Sequence, residues 1–434
     1  MALVGNRPLA AQTLPADTVL SLRAALELAL EHNPGLLAAR AGAGAAAFGA
    51  AAAGRQRVPK LQLGASYMYT AAEDALMMPG VLLNGPGLDN IFNRHIGEGA
   101  LTLTVPLYTG GELSKRARAA DAAAEGAGAG ARAAAAEVLF RVAAKYHDIL
   151  RLQRAVSATE ASIASLLETR RILQLKLEVG RAAPFEVMRV NTRLANTQLD
   201  LLRERNALQR SLTDLEALVG VRLPDREFVL ADTLRFVPVE LAADTLLQQA
   251  LAQRPEFQAA RAAVARERAL IGVATSQYLP HVSLLGSLGG NVGSRDSDLG
   301  QHSFVAVRVA IPVFNSPLAA QANEARARLD AAEATLEQLR LEIALEVDRA
   351  LLDLRAAADQ VEVARTALSE AEEALRIEQL RFDQGRATVN DVLDANAELL
   401  RAQVGLAGAT AAHSTATDAV HRAAGTISVR ALSP

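Results

Sequence analysis

The chain has no cysteine and no tryptophan, and only 3% of its residues are aromatic. Without cysteine there can be no disulfide, no thiolate metal site and no cysteine nucleophile. The seven histidines lack the HExxH-type spacing of a zinc enzyme, so no metal and no cofactor is expected. No segment resembles a nucleophile with its base or a phosphate-binding loop, which argues against an enzyme.

The chain also lacks an excess of basic residues, since its formal net charge is −3. Nucleic-acid-binding proteins carry a basic surface, so no nucleic-acid partner is expected. Uncharged apolar runs of about 18 residues, typical of membrane-spanning helices, are absent too. Instead, 50% of the residues are hydrophobic, and many of these are alanines in runs such as 41–54. Such a composition suits helices that pack closely side by side.

The two halves of the chain are similar in sequence. Residues 176–198 align with 381–403, and their glycines, Gly180 and Gly385, lie 205 positions apart. Each half contains a helix, a short strand, a loop, a second strand, a long helix, a glycine turn and a returning helix. We therefore predict a duplication, with repeats at 18–217 and 246–425, a linker at 218–245, and tails at 1–17 and 426–434.

Four segments show the period-two alternation of strands, at about 60–70, 98–108, 281–289 and 302–314. Each has about the length that a tilted strand needs to cross a bilayer. One face is apolar and the other small or polar, as in the wall of a membrane barrel. A soluble sandwich with its apolar face inward is the alternative. The side chains predicted to face lipid are Leu61, Leu63, Tyr67, Tyr69, Leu101, Leu103, Val105, Val305, Val307, Val309 and Ile311.

Four long helices are predicted at about 111–179, 184–219, 317–382 and 389–424. In the third, apolar residues recur every three or four positions, which is typical of a coiled coil. At ~1.5 Å per residue, a helix of this length would reach roughly 100 Å, so it must project away from the strands as part of a hairpin. The residues of this apolar seam are Leu329, Ala332, Leu336, Leu339, Ile343, Val347, Ala350, Leu354, Ala357, Val361, Ala364, Leu368, Ala371 and Leu375.

The repeated glycine motif fits the tip of each helical hairpin. Gly180 and Gly385 occupy the position just after a helix end, where glycine is common. Pro184 suits the first turn of the next helix, and Asp391 can cap the returning helix of the second copy. The expected fold is therefore mainly α with a small β part.

Four strands cannot close a barrel by themselves, because the smallest membrane barrels have about eight. A strand edge left unpaired in lipid is very costly, so several copies must associate. Two copies would supply eight strands and three would supply twelve, and the pattern alone leaves both open. Either assembly would be a conduit, with a pore in the membrane and a helical tunnel beneath it.

Three motifs resemble the TolC-type outer-membrane efflux proteins: VPLYTGG (105–111), IPVFNSP (311–317) and QGRATVNDVLDAN (384–396). The resemblance extends over about 18–425. It implies a homotrimer with a 12-stranded β-barrel in the outer membrane and a periplasmic α-barrel. The equatorial region would come from 218–250 and from the tail after 413. Such proteins are passive exit ducts that dock with a periplasmic adaptor and an inner-membrane pump, or with a type I secretion system.

The same resemblance implies a periplasmic gate at the helical tips. Asp391 and Asp394 match its acidic residues, and Glu186 matches the acidic position of the first tip. Three copies would bring six carboxylates of the second tip together, raising some of their pKa values and attracting cations. Asp391 and Glu186 also suit helix starts, where the helix dipole favours acidic residues, so a purely structural role is the alternative.

The chain departs from the family pattern at two gate positions. Phe382 stands where a tyrosine is expected and has no hydroxyl to donate. Ala387 stands at the expected arginine position, while arginines lie at Arg181 and Arg386. The surface that an adaptor would grip corresponds to Gly180, Arg181, Gly385 and Arg386.

The long first loop, 71–97, would lie outside the cell as a lid over the pore or as packing between copies. A soluble coiled-coil scaffold and an α-helical pore-forming protein are the competing hypotheses for the whole chain.

Overall fold

The computed structural model describes residues 20–69, 95–222, 230–238, 243–292 and 300–432. The chain divides into two compact units. One contains Met1–Ala43, Gly128–Ala259 and Leu336–Pro434, and the other contains Gly44–Ala127 and Ala260–Thr335. Each unit therefore combines matching parts of both sequence repeats, so the repeats themselves are not the compact units of the fold.

Long helices dominate the described residues, and the bounds of the four predicted long helices agree with the prediction to within about two residues. The last helix, a single turn near the C-terminus, was not predicted. The helices are α1 (Leu22–His32), α2 (Pro34–Arg55), α3 (Glu112–Glu178), α4 (Pro184–Val219), α5 (Ala243–Gln253), α6 (Pro255–Ser276), α7 (Pro317–Asp383), α8 (Val389–Ala423) and α9 (Val429–Leu432).

The break between α1 and α2 has a local cause. Pro34 begins α2, and the preceding Asn33 takes the extended conformation favoured before proline. Asn33 accepts a bond from the backbone N–H of Leu36 (2.9 Å) through its side-chain oxygen. Its side-chain nitrogen donates to the carbonyl of Leu218 at 2.7 Å, which ties this joint to the end of α4.

The coiled-coil seam predicted on α7 is confirmed. All fourteen seam residues are buried or half-buried, while most of their neighbours along α7 are exposed. In the middle of the helix, Ile343, Val347 and Leu354 pack in one apolar cluster with Leu246 of α5 and Val420 of α8. Burial on one stripe shows that tertiary packing, more than helix propensity, stabilises so long a helix.

A second cluster joins α1 to α3 and α4 and includes part of the linker after α4. Tyr146 is fully buried there and donates to Asp232 Oδ2 (2.7 Å), with the carbonyl of Leu20 at 2.9 Å from its hydroxyl. Asp232 also accepts from the backbone N–H of Leu22 at 2.8 Å. Burial and the bond to Asp232 raise the pKa of Tyr146, which stays neutral. Farther along this segment, the ring of Phe236 lies 4.6 Å from that of His413 on α8.

The four predicted strands form one antiparallel sheet in the order β1 (Lys60–Tyr69), β2 (His95–Tyr108), β3 (His281–Val292) and β4 (Gly300–Ala310). The central pair, β2 and β3, joins the two repeats. The fourth strand is shorter than predicted, because it ends at Ala310 and leaves Ile311 outside the sheet. The next residue, Pro312, has no N–H to donate to a ladder, which explains this end.

Among the described helices, α2 alone is long and apolar enough to cross a membrane by length and composition, with a mean hydropathy of 1.4. It contains Arg40, and one such helix near an N-terminus is weak evidence for a membrane span.

Candidate functional site: helical tips and sheet faces

The two hairpin tips have the same backbone structure. Gly180 and Gly385 have φ of 73° and 71°, the left-handed conformation that glycine adopts without strain. The next N–H reaches back five residues in each copy: Arg181 N to Lys176 O is 2.7 Å, and Arg386 N to Arg381 O is 2.8 Å. Both turns are therefore Schellman motifs, which pair the last carbonyls of a helix.

Beneath the turns, the four long helices share one apolar core. Its buried residues are Leu166 and Leu173 of α3, Val190 and Leu194 of α4, Leu375 and Phe382 of α7, and Val389, Val392 and Leu393 of α8. This packing fixes the positions of the two tips within their compact unit.

Phe382 belongs to this core and is only 8% exposed. The Nζ atom of Lys176 lies 3.9 Å from the centroid of its ring and donates to its carbonyl oxygen at 3.1 Å. In the single chain, a ring held in this way packs the tip. The gate role expected for Phe382 stays a prediction.

The carboxylate of Asp391 caps the start of α8. Its Oδ2 accepts from the backbone N–H of Thr388 (2.7 Å) and from the Thr388 hydroxyl (2.9 Å), completing a capping box. The bonds from Thr388, backbone first, hold the pKa of Asp391 below its ordinary value, with a smaller effect of Arg381. In the single chain this shift is opposite to the rise expected from crowded carboxylates.

Glu186 has a similar position at the start of α4. Its Oε2 accepts from the backbone N–H of Ala183 at 2.9 Å, so this side chain also stabilises a helix start. Asp394 lies one turn farther along α8 and is exposed. Arg181 and Arg386 are exposed beside the glycine turns.

The sheet has two chemically different faces, and its register aligns them across all four strands. Leu61 pairs with Leu103, which pairs with Gly286, which pairs with Val305. Because paired residues share a face, the predicted lipid-facing residues lie together on one side of the sheet. Those placed on it by the register are Leu61, Leu63, Tyr67, Tyr69, Leu101, Leu103, Val105, Val305, Val307 and Val309, joined by Val282, Leu284 and Leu288.

This apolar face is open to solvent in the single chain, with Leu63 82% and Val305 78% exposed. The side chain of Tyr69 falls outside those that the structure describes, and so does most of the loop at 71–97. The opposite face carries mainly polar residues: Lys60, Gln62, Ser66, Glu98, Thr102, Thr104, Ser283, Ser287 and Arg308, with Leu285 and Phe304 among them.

Among the described residues, the two outer strands, β1 and β4, each pair on one side only. Their free edges carry unpaired backbone N–H and C=O groups, which lipid cannot satisfy. A sheet with one apolar face and two such edges can enter a membrane only as part of a closed barrel.

Comparison with known proteins gives the family. The sequence profile described as "Outer membrane efflux protein" matches residues 25–221 and 246–426. The chain belongs to the outer membrane efflux protein family. The two matched segments correspond to the two halves of the duplication.

Curated relatives agree with this assignment. The chain is 27% identical to the cobalt-zinc-cadmium resistance protein CzcC of Cupriavidus metallidurans over 331 residues, covering 73% of this chain and 75% of that one. It is 25% identical to the outer membrane protein TolC of Vibrio cholerae over 305 residues, covering 67% and 68%.

Solved structures have the same fold. VceC, an outer membrane protein of Vibrio cholerae, superposes with a TM-score of 0.77 at 23% identity, covering 93% of this chain and 96% of that one. CusC gives a TM-score of 0.78 at 20% identity, covering 93% and 92%.

As a member of the outer membrane efflux protein family, the chain is an outer-membrane channel with a large periplasmic part. Its fold is of the TolC type, with a helical barrel and a β-barrel, which rules out the soluble scaffold and the helical pore-former. Members of this family are channels rather than enzymes, and they work with adaptor proteins and inner-membrane pumps.

The sequence did not predict two polar contacts that the structure shows in this chain. Arg189 on α4 donates to Asn390 on α8 at 2.6 Å, which links the starts of the two returning helices. Tyr146 and Asp232 are 86 positions apart in sequence, and no short motif marks either. The only available signal for the first pair was that both residues follow an aligned glycine turn.

Proposed function

We propose that this channel is the passive exit duct of a tripartite efflux pump or a type I secretion system, and that it works as a homotrimer. The observation that carries this proposal is the sheet with one apolar face, one polar face and two unpaired edges. Three copies would close twelve strands into a barrel with its polar face toward a water-filled lumen. Lipid would then contact the apolar face.

The helical tips would form the periplasmic end of the duct. Asp391 and Asp394 of three copies would place six carboxylates near one constriction, with Glu186 at the neighbouring tip. Such a ring attracts cations and disfavours anions. In the single chain the carboxylate of Asp391 accepts from Thr388 and caps α8, whereas Asp394 lies exposed beyond the cap. Asp394 is therefore the stronger candidate for a gate carboxylate.

The turns themselves would form the docking surface for a periplasmic adaptor. A methyl group added at Gly180 or Gly385 would meet no described atom within 4 Å, so the space above each turn is open. A helical hairpin of an adaptor can therefore approach the backbone closely, flanked by the exposed Arg181 and Arg386.

The proposal is tested by purifying the protein in detergent, measuring its mass by light scattering, and recording currents in planar bilayers. We expect a trimer with stable single-channel conductance and a preference for cations. Asp391→Asn with Asp394→Asn should reduce this preference, because asparagine can still accept at the cap but carries no charge.

The matched control is Glu372→Gln, which removes an exposed carboxylate of α7 outside the tip turn. It should leave the selectivity unchanged. A monomer without conductance would contradict the duct. Conductance with unaltered selectivity in the double variant would contradict only the gate.

A further inference from the structure

Two basic residues lie at the same end of the polar face of the sheet. Lys60 begins β1 and is in the same cross-strand row as Thr104, Leu285 and Ala306. Arg308 lies two residues beyond Ala306 on β4, hence on the same face. This is the end at which the strands meet the helices, since α2 ends at Arg55 and α7 begins at Pro317. Both side chains are exposed.

Within one copy the two residues are on opposite edges of the sheet. Three strand spacings of about 4.8 Å separate β1 from β4, or roughly 14 Å. A barrel closed from several copies places β4 of one copy beside β1 of the next. Arg308 of one copy and Lys60 of its neighbour then lie on adjacent strands, both at the helix-side end.

On the described strands, no acidic side chain of the polar face lies close to these two basic residues. The acidic residue that the register places on the polar face of the described strands is Glu98, six residues along β2 from Thr104. At ~3.4 Å per residue this is about 20 Å away, more than twice the Debye length of ~8 Å at physiological salt. Glu112, just beyond the sheet, pairs with Arg116 at 2.6 Å, and its other carboxylate oxygen lies 3.7 Å from Nε2 of His281, which begins β3 on the polar face.

We propose that Lys60 and Arg308 of all copies form a cationic ring inside the barrel at its helix-side end, and that this ring sets the anion preference of the barrel segment. The proposal rests on the proposed duct. In a trimer the ring holds six positive charges, two at each junction between copies. Rings of basic side chains favour anions, so this ring would act in series with the acidic tips on any charged solute.

The first test measures reversal potentials in planar bilayers under a potassium chloride gradient. The double variant Lys60→Gln with Arg308→Gln should shift the chloride-to-potassium permeability ratio toward potassium by about two- to fivefold, from Coulomb energies at ~10 Å reduced by salt. Arg308→Lys keeps the charge and should keep the wild-type ratio.

The second test uses the absence of cysteine from the chain. Arg308→Cys and Val309→Cys place single thiols on adjacent residues of opposite faces. Anionic 2-sulfonatoethyl methanethiosulfonate, added in water, should modify the thiol at position 308 and alter the current of that variant channel. The anionic reagent should react faster at this thiol than a cationic trimethylammonium methanethiosulfonate, because the Lys60 side chains attract anions. The thiol at position 309 should stay unmodified in the bilayer.

The outcomes separate the two proposals. If the wild-type protein gives no conductance, the duct fails and the ring with it. If the wild type conducts but the double glutamine variant keeps its permeability ratio, or the thiol at position 308 does not react, the duct stands and the ring is overturned.

Discussion

Gly385 allows the backbone of the second tip to be tested in isolation. Its φ of 71° is unfavourable for any residue with a Cβ, and replacement by alanine costs about 1–2 kcal/mol for this conformation. A methyl group there would contact no described atom within 4 Å, so no steric clash adds to the cost. The loss of chain entropy in the unfolded state offsets about 0.4–1 kcal/mol. We expect Gly385→Ala to destabilise the tip by about 1 kcal/mol.

Gly425 provides a matched comparison. It has the same φ of 71°, but a Cβ there would lie 2.8 Å from the backbone nitrogen of Arg254. Gly425→Ala should therefore cost about 1–3 kcal/mol more than Gly385→Ala, since the backbone must move. Gly405 lies inside α8 with open space around it, and Gly405→Ala should stabilise by about 0.5–1 kcal/mol.

Hydrogen exchange measured by mass spectrometry gives the local answer, because thermal unfolding of a membrane oligomer is often irreversible. A loss of about 1 kcal/mol corresponds to roughly fivefold faster exchange of the amides at the tip. Exchange in Gly385→Ala equal to the wild type, or a smaller effect for Gly425→Ala than for Gly385→Ala, would refute the reasoning.

Three further predictions concern single side chains. Tyr146→Phe should destabilise the cluster of α1, α3 and α4 by about 2 kcal/mol, because it removes the hydroxyl that donates to Asp232. Urea unfolding, or amide hydrogen exchange at residues 20–32, should show this loss of stability. The cap formed by Asp391 should stabilise the start of α8 fully above pH 3.8, the ordinary pKa of aspartate, and should lose this effect as the pH falls through the lower pKa of the folded state. Amide hydrogen exchange in the first turn of α8, measured as a function of pH, should show this loss. Asp391→Asn should abolish the pH dependence of that exchange. Leu173→Ala should cost about 2–5 kcal/mol in denaturant unfolding, since Leu173 is 1% exposed, while Leu175→Ala, at a half-exposed site, should cost far less.

Much of the local structure could be predicted because it follows from neighbours in sequence. In the helix from Pro184 to Val219 and in the seam on α7, apolar residues recur every three or four positions. In the strands they recur every two positions, and the strand bounds were predicted best where no proline follows. The end of β4 was placed too late, because alternation continues in the sequence past Ala310 although Pro312 stops the ladder.

The tips show where such prediction stops. Acidic residues such as Asp391 and Glu186 suit both a gate and a helix start. Only the hydrogen bonds to Thr388 and Ala183 show that these two side chains cap helices. Resemblance predicts Phe382 at the gate, and only the packing of four helices shows that in the single chain its ring is buried under Lys176.

The sequence by itself determined the duplication, the types and bounds of the long elements, and the two glycine turns, because these depend on periodicity and on backbone conformation over a few residues. Only the tertiary structure decided which strands pair, that β2 joins β3, and hence that Lys60 and Arg308 occupy one end of one face. The physical reason is that a strand carries its alternation in its own residues, whereas its register depends on hydrogen bonds to another strand. For β2 and β3 the paired residues are more than a hundred positions apart. The same holds for Tyr146 and Asp232, whose contact depends on how the linker packs on α3.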